Sequence, residues 1–183
     1  TLILTESCWV NDNRNPGKSR EMIEAELKAD LGVEKVIWIP GIAGEDDTDG
    51  HIDGLARITA PGMVVISSAE GDDEDPWNAV IYEARDILEK ETDARGRAFT
   101  VIDVPCPEDV CSDDPDFDIG YANYYVGNGA VYLPEFGDIR RDGFARETFM
   151  RLFPGRKVVA LNVDRILENG GGIHCVTQQQ PLV

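Results

Sequence analysis

The sequence predicts an α/β fold made of a repeated unit in which a strand, a loop, an amphipathic helix and a second strand follow one another. Two observations support this prediction. The pattern occurs three times with a period of about 60 residues, and turns containing Gly or Pro stand at the ends of the predicted helices. With 183 residues and a hydrophobic content of 42%, the chain is long and apolar enough to bury a core.

The first copy is predicted to have strands at Leu2–Thr5 and Lys35–Ile39, with a helix over about Ser19–Leu31 between them. In this helix the apolar residues fall mostly on one stripe, which is the spacing of a helix with one buried face. The stripe consists of Met22, Ile23, Leu27 and Leu31. Pro16-Gly17 precedes the helix and Gly32 follows it, as expected at helix ends.

The second copy is predicted to have strands at Met63–Ser67 and Phe99–Val104, with a helix over about Trp77–Glu91. Asp75-Pro76 marks the start of the helix and Gly96 lies beyond its end. Its apolar positions again recur at helical spacing. They are Ala79, Val80, Tyr82, Ala84, Ile87 and Leu88.

The third copy is predicted to have strands at Ala130–Leu133 and Lys157–Leu161, with a helix over about Arg140–Phe153. Gly137-Asp138 stands before the helix and marks its start. Pro154-Gly155 stands directly after it, because neither residue continues a helix well.

Two further short strands are predicted between the copies, at about His51–Ile58 and Tyr121–Gly127. Each copy then forms a small mixed sheet backed by one helix, and a unit of that size cannot bury both faces of its sheet alone. We therefore expect the copies to stack on one another or to surround a common axis within one domain, with repeats at about 1–60, 61–127 and 128–183. The chain opens directly on an apolar run, so we expect it to be part of a longer protein.

Seventeen Lys and Arg residues against 35 Asp and Glu residues give the chain a formal net charge of −18. This charge repels nucleic acid and anionic membrane surfaces, whereas it attracts small cationic molecules. No apolar run approaches the ~20 residues that cross a bilayer, and no secretory leader opens the chain, so a cytoplasmic location is predicted. Four cysteines are too few for a disulfide-stabilised scaffold, and reduced thiols are expected.

The loop after the last strand differs from copy to copy and occupies residues 41–51, 106–111 and 168–175. If the copies surround an axis, these loops converge, and His51 of the first loop meets Cys175 of the third. A thiol beside an imidazole indicates nucleophilic catalysis, because the imidazole favours the reactive thiolate. Three glycines precede Cys175 and permit close backbone approach around it. A plain turn into a buried strand is the alternative.

The acidic run before His51 is compatible with three kinds of loop. Its alternating acids fit the first positions of a calcium-binding loop, but Ala56 stands where such a loop needs Glu. A solvated acidic loop is the second alternative. The third is a cation-binding face, because His51 and Asp53 on an extended strand would point to the same side.

Five stretches of the sequence closely resemble the agmatine deiminases, which are grouped with the bacterial-type peptidylarginine deiminases among the guanidine-modifying enzymes. The stretches are 13–16 (NRNP), 42–53, 121–125 (YANYY), 128–130 with 134–138, and 170–181 (GGGIHCVTQQQP). They run in the family's order over essentially the whole chain. The motifs DTDGHID (47–53) and GGGIHC (170–175) are specific when they occur together.

The resemblance implies a five-bladed pseudosymmetric α/β propeller with the active site on its axis. The three copies would then be three of the five blades, and two blades would lie N-terminal to this sequence. Those blades would carry two further acidic residues that the family uses around the guanidinium. The sequence departs from the family at Gly172, where members often have Asn just before Ile-His-Cys.

The resemblance also implies hydrolysis of agmatine to N-carbamoylputrescine and ammonia, without a metal or organic cofactor. Cys175 would attack the guanidinium carbon, and His51 would act as acid and then as base. Asp53 would bind the guanidinium N–H groups, with Asp49 and Gly172 as further substrate-binding candidates. Deimination of free or peptidyl arginine is one alternative, and a catalytically silent chain that binds cations is another. Association into a homo-oligomer is expected if an apolar edge strand is unpaired.

Other conspicuous residues are predicted to have structural roles. His174 is expected to pack away from the site, because neighbours on a strand point in opposite directions. The tryptophans Trp9, Trp38 and Trp77 are expected to pack in the core or at the surface. The cysteines Cys8, Cys106 and Cys111 are expected to be structural. Three polar residues are expected to shape loops near the site without contacting it directly, namely Arg14, Arg57 and Asn123.

Overall fold

The computed structural model describes residues 1–69, 75–114 and 117–180. Its contacts divide the chain into two compact units, Thr1–Asp103 and Val104–Val183. Pro181, the last residue of the GGGIHCVTQQQP stretch, lies outside the described residues.

The first unit contains two small sheets. Its elements in chain order are β1 (Leu2–Thr5), α1 (Glu6–Trp9), α2 (Arg20–Leu31), β2 (Val36–Ile39), α3 (Ile52–Leu55), β3 (Ala56–Ala60), β4 (Met63–Ser68), α4 (Pro76–Lys90) and β5 (Thr100–Pro105), whose last two residues belong to the second unit. β1 and β2 pair in parallel, which the crossover through α2 allows. The other sheet has the order β3-β4-β5, and β3 runs antiparallel to β4.

The core of the first unit lies between these strands and α4. Its fully buried members come from β2, β4 and α4 and are Ile39, Val64, Ile66, Ala84 and Leu88. Burying one such aliphatic side chain larger than Ala contributes about 1.5–3 kcal/mol, so this cluster is a main source of the unit's stability. A smaller cluster joins α2 to the first sheet through Leu4, Ile23 and Trp38.

The apolar stripes of α2 and α4 are narrower than predicted. Ile23 is buried in α2, but Met22 is 51% exposed and Leu31 is 58% exposed. In α4, Tyr82 is 59% exposed and Ala79 also faces solvent. Successive helical residues point about 100° apart, so Met22 cannot share the direction of its buried neighbour.

The second unit contains one three-stranded sheet in its described part. Its elements are β6 (Tyr125–Val126), β7 (Ala130–Glu135), α5 (Ile139–Leu152), β8 (Lys157–Asn162) and α6 (Asp164–Leu167). β7 is central, antiparallel to β6 and parallel to β8. Its core is rich in aromatic rings, and Tyr124 packs edge-on against Phe149 with the ring centres 4.6 Å apart.

The three strand–helix–strand copies are confirmed, as β1-α2-β2, β4-α4-β5 and β7-α5-β8, with boundaries within two residues of those predicted. The predicted start of the third helix agrees as well, and the structure shows how it is capped. Asp138 accepts hydrogen bonds from the backbone N–H groups of Arg140 (3.1 Å) and Arg141 (3.0 Å) at the start of α5.

The predicted strand at His51–Ile58 is wrong in its first half, because Ile52–Leu55 forms the short helix α3 and extended structure begins at Ala56. Ile52 and Leu55 both pack on the core of the first unit. Residues three positions apart share one face of a helical turn, whereas on a strand they would point to opposite sides. The argument that placed His51 and Asp53 on one face of a strand therefore fails.

The predicted strand at Tyr121–Gly127 is also shorter in the structure, where only Tyr125–Val126 is extended and paired. The side chains of Tyr121, Ala122, Asn123 and Tyr124 are each no more than 2% exposed. Four consecutive buried side chains do not follow the alternation that predicts a half-buried strand. This segment is a buried connection.

None of the helices in the described ranges combines the length and apolarity needed to cross a membrane. The cytoplasmic location and the homo-oligomer stay predictions. Among the described strands, β1 pairs only with β2.

Candidate active site

The loop before His51 is held closed by its own carboxylates. Asp49 has a left-handed backbone (φ 57°), which Asp tolerates better than most residues. Its carboxylate accepts hydrogen bonds from the Gly44 backbone N–H (2.9 Å) and the Asn11 side-chain amide (2.6 Å). These contacts connect the loop to residues that follow β1. They support a loop-positioning role for Asp49, and its role in substrate binding stays a prediction.

Two residues of the DTDGHID motif fix the backbone at His51. The Thr48 hydroxyl accepts a hydrogen bond from the His51 backbone N–H (3.0 Å). Gly50 has φ 82°, and a Cβ added there would lie 3.1 Å from the carbonyl oxygen of Ile42. A glycine therefore suits both the dihedral angle and the narrow space at this position.

Arg14 contacts the imidazole directly, contrary to the prediction that it only shapes a loop. Its Nη2 lies 2.9 Å from Nε2 of His51, and its guanidinium lies over the ring of Trp9 with its carbon 5.3 Å from the ring centre. A guanidinium can only donate, so Nε2 accepts and a neutral His51 carries its proton on Nδ1 in this contact. Trp9 packs, as predicted, against the small cluster that joins α2 to the first sheet, and its ring also contacts the Arg14 guanidinium.

Asp53 lies in the first turn of α3 and is partly buried. The charge of Asp53 and those of its neighbours affect the pKa of the Cys8 thiol. Burial raises the pKa of Cys8, Arg14 opposes that rise, and Asp49, Asp46 and Asp53 add to it. Arg14, Asp49 and Asp53 therefore act electrostatically on one point in the first unit. Cys8 itself is 2% exposed and favours the neutral thiol, which suits the structural role predicted for it.

Cys175 is exposed and lies in a turn over residues 173–176. The Thr177 backbone N–H and hydroxyl donate to the His174 carbonyl at 3.1 and 3.0 Å and help to close this turn. The argument from strand alternation for His174 therefore does not apply. A Cβ at Gly171 would lie 3.3 Å from the sulfur, so glycine there leaves room for the thiol.

Asn123 contacts the sulfur directly, although the sequence analysis gave it only a loop-shaping role. Its Nδ2 donates to Cys175 Sγ at 3.1 Å and to Asp118 Oδ2 at 3.1 Å. Its Oδ1 accepts from the backbone N–H of His174 at 2.7 Å. A Cβ at Gly172 would lie 2.5 Å from Asn123 Cγ, so Gly172 leaves space for this amide.

The residues on either side of Asn123 are anchored in the core of the second unit. The Tyr121 hydroxyl donates to Asp142 at 2.8 Å, and its ring packs edge-on against Phe136 with centres 5.2 Å apart. Burial raises the pKa of Tyr121 far above its usual value, and the bond to Asp142 adds to the rise, so the phenol stays protonated. Tyr124 is held among Phe149 and Phe153.

Arg14 and Asn123 are the two functional candidates that sequence reasoning undervalued. Both lie in stretches that carry the family resemblance, NRNP and YANYY. The resemblance was therefore a usable signal, although the contacts depend on loop geometry that periodicity does not reveal. Within the described residues, no group of three or more His, Cys, Asp or Glu side chains is placed to hold a metal ion.

The chain is similar to proteins of one family over its whole length. Residues 1–181 match the profile of the Porphyromonas-type peptidyl-arginine deiminases. An agmatine deiminase of Medicago truncatula is 40% identical over an alignment 203 positions long, which covers 100% of this chain and 54% of that protein. The chain thus spans about half the length of this relative.

Two solved structures give the same result for the fold. An agmatine deiminase of Enterococcus faecalis, described as catalysing its reaction, has a TM-score of 0.87 at 33% identity, covering 98% of this chain and 53% of its own. A cysteine-to-serine variant of the C. jejuni agmatine deiminase with substrate bound has a TM-score of 0.82 at 25% identity. The match covers 94% of this chain and 50% of the C. jejuni chain. The chain therefore has the mixed α/β structure of these proteins over about half of their length.

Proposed function

The chain belongs to the Porphyromonas-type peptidyl-arginine deiminase family, and on that basis we propose that it forms part of an agmatine deiminase. The 40% identity to the Medicago enzyme over the entire chain is the observation that carries the proposal. The charge of −18 agrees with it, because agmatine carries two positive charges and no carboxylate.

The proposed reaction hydrolyses the guanidinium group through a covalent intermediate on Cys175. The thiolate attacks the guanidinium carbon, and His51 gives a proton to the departing nitrogen, so ammonia leaves and an amidino-thioether remains. Water then attacks the same carbon while His51 removes its proton, and the thiolate departs. The net reaction converts agmatine and water into N-carbamoylputrescine and ammonia without a metal or organic cofactor.

A finding on a relative supports the role of Cys175, and the chemistry of carboxylates supports that of Asp53. The C. jejuni relative was obtained with substrate in a cysteine-to-serine variant, which agrees with a cysteine that reacts in this family. Asp53 supplies a carboxylate that binds two N–H groups of the planar cation and offsets the cost of burying its charge. The proposed reaction assigns His51, Asp53 and Cys175 to the same guanidinium.

The proposed fold adds further copies of the repeated unit to the three that are observed. They form three blades of a five-bladed propeller and belong to one catalytic domain of a longer protein, with repeats at about 1–60, 61–127 and 128–183. The other blades supply further acidic residues around the guanidinium.

Ammonia release from agmatine by the parent protein, and separately by this chain, tests the proposal. We expect turnover by the parent and its loss in Cys175→Ala. His51→Gln and Asp53→Asn are expected to lower kcat/KM by at least about 100-fold, which is the scale of a lost acid–base group. Turnover that survives Cys175→Ala would refute the proposed nucleophile, and absence of turnover in the parent would favour a silent cation-binding protein.

Deimination of arginine is the second candidate, because the matching family profile is described as peptidyl-arginine deiminase. Agmatine, free arginine and an arginine-containing peptide offered to the same preparation separate the candidates. Preference for the peptide would identify the alternative. Preference for agmatine is expected here, because the substrate carboxylate of free arginine would be repelled by the acidic chain.

A further inference from the structure

The sequence contains two Asn-Gly pairs, Asn128-Gly129 and Asn169-Gly170. The backbone nitrogen of the residue after an asparagine can attack the side-chain carbonyl of that asparagine and close a cyclic imide, the succinimide. Glycine favours this reaction, because it has no Cβ to block the approach and its backbone reaches dihedral angles that other residues avoid. Both pairs are therefore candidate sites of spontaneous deamidation, a covalent modification that needs no second protein.

Solvent access does not distinguish the two pairs. Asn128 and Asn169 are both exposed, and each following glycine has a positive φ, 79° at Gly129 and 70° at Gly170. The difference lies in the hydrogen bonds that hold the reacting groups. For the ring to close, the carboxamide must turn toward the next backbone nitrogen, and that nitrogen must lose its proton. Hydrogen bonds made by either group therefore slow the reaction.

Three hydrogen bonds hold the Asn169 pair at the end of α6. The Asn169 carboxamide donates to the Arg165 carbonyl at 2.9 Å. Its backbone N–H donates to the Ile166 carbonyl at 3.0 Å. The attacking nitrogen, that of Gly170, donates to the Leu167 carbonyl at 3.2 Å. The Leu167 side chain is fully buried, so the helix end that supplies these acceptors is anchored in the core.

The Asn128 pair lies at the tip of the turn between β6 and β7. The Gly127 backbone N–H donates to the Ala130 carbonyl at 2.9 Å and closes the turn. The Lys157 backbone N–H donates to the Gly129 carbonyl at 2.9 Å and holds the tip against the start of β8. Neither bond uses the Asn128 carboxamide or the Gly129 N–H. A Cβ added at Gly129 would meet no atom of the described residues within 4 Å, its chain neighbours apart.

We propose that Asn128 is a site of spontaneous deamidation and that the fold protects Asn169 from the same reaction. The Gly129 nitrogen bonds to the side-chain carbonyl carbon of Asn128, and the bond from that carbon to the amide nitrogen breaks. The proton from the Gly129 nitrogen leaves with the amide nitrogen as ammonia, so a succinimide remains. Water then adds to either carbonyl of the ring and reopens it to aspartate or isoaspartate. Water is the only co-reactant.

The modification changes both the charge and the backbone of this turn. Either product adds one carboxylate to a chain whose net charge is already −18. The isoaspartyl product also inserts a carbon into the backbone of the turn, and β6 contributes only two residues, Tyr125 and Val126, to the sheet. Each chain releases a single ammonia molecule at this site, so the reaction differs from catalytic turnover and does not depend on the proposed function.

The test incubates the chain in mildly alkaline heavy-oxygen water and follows both pairs by peptide mass spectrometry. The label marks conversion that occurs during the incubation and not during digestion in ordinary water. Trypsin places Asn128 in peptide 98–140 and Asn169 in peptide 166–183, and fragmentation separates Asn128 from Asn123. Because three hydrogen bonds must break first at Asn169, we expect Asn128 to convert at least about tenfold faster.

The same chain unfolded in urea is the matched control, because unfolding removes the hydrogen bonds and leaves both Asn-Gly pairs intact. There we expect the two rates to agree within about threefold. Gly129→Ala tests the chemistry under the same unfolding conditions, where the fold of the variant has no influence. The added Cβ should cause a loss of conversion at Asn128 and leave the rate at Asn169 unchanged.

Equal rates at the two pairs in the folded chain would overturn the inference, as would faster conversion at Asn169. A folded chain in which Asn128 stays intact while the unfolded chain converts would overturn it too. If the preference for Asn128 persists undiminished in urea, the local sequence and not the fold sets it, and the protection of Asn169 is refuted. Should Asn128 convert as expected while the parent protein does not act on agmatine, the proposed function fails and the modification site stands.

Discussion

Replacement of Arg14 by Met should change the tautomer of His51. Arg14 donates to Nε2 at 2.9 Å, so the neutral imidazole carries its proton on Nδ1 in this contact. Hydrogen bonds from charged donors are worth about 1.5–3 kcal/mol. The contact is exposed to solvent, which reduces the contribution to about 0.5–1 kcal/mol. That energy corresponds to a change of about twofold to fivefold in the tautomer ratio.

Histidine side-chain correlation spectra of the ¹⁵N-labelled chain measure this ratio directly. The chain has two histidines, so a His174→Asn variant assigns the signals. Arg20→Met is the matched control, because Arg20 lies over the Trp38 ring at 5.1 Å in the way that Arg14 lies over Trp9. The reasoning is refuted if wild-type His51 carries its proton on Nε2, or if Arg14→Met and Arg20→Met give the same spectrum.

Three further predictions concern stability and thiol reactivity. Leu88→Ala should lower the free energy of unfolding by about 2–5 kcal/mol, because Leu88 is fully buried. Leu31→Ala, at a site that is 58% exposed, should change the free energy of unfolding by less than about 0.5 kcal/mol. Urea denaturation of both variants measures the difference. The backbone N–H groups of Arg141 and then Glu108 hold the pKa of the Asp138 carboxyl below its usual value. The carboxylate therefore stabilises the folded state fully above about pH 4, the pKa of Asp in the unfolded chain. This stabilisation is lost as the pH falls through the lower pKa of the folded state. Asp138→Ala should therefore cost about 1–2 kcal/mol at neutral pH and much less in acid, and equal losses at both pH values would contradict this capping role. Cys8 should alkylate far more slowly than Cys175 at neutral pH, because burial raises the pKa of Cys8; comparable rates by peptide mass spectrometry would exclude this.

The repeated strand–helix–strand pattern was predictable because its signals are local. Pairs such as β7 and β8 arise from short apolar runs, and Asp138 and Pro154 mark where the helix between them begins and ends. Each of these features acts over a few residues, through capping, turn chemistry or alternation. The sequence therefore contains the boundaries of the copies almost directly.

The segments that failed prediction are those in which tertiary packing overrides alternation. Ile52 and Leu55 turn toward one core and form α3, so the polar and apolar alternation at His51–Ile58 gave the wrong element. Tyr121 and Tyr124 are both buried through long-range contacts with Asp142 and Phe149. Neither contact can be read from spacing, because the partners are remote in sequence.

The candidate site was predictable in its residue types but not in its contacts. Cys175 and His51 stood out by chemistry and by family resemblance, and their joint action stays a proposal. The residues that touch them, Asn123 and Arg14, come from parts of the sequence 52 and 37 positions away. Such neighbours depend on how loops close, and loop closure is governed here by side-chain hydrogen bonds such as those of Asp49.

The contact between Arg14 and His51 has a consequence for the proposed reaction. Nε2 of a neutral imidazole has one lone pair, so it can accept one strong hydrogen bond, and Arg14 uses it. Under the proposed function, a substrate guanidinium that donates to this same nitrogen must first displace Arg14. The two cations also repel each other, so the acids of the first unit, Asp53 among them, have to offset that repulsion. A chain with a net charge of −18 is well suited to that requirement, because it lowers the cost of bringing a second cation to a site that already holds one.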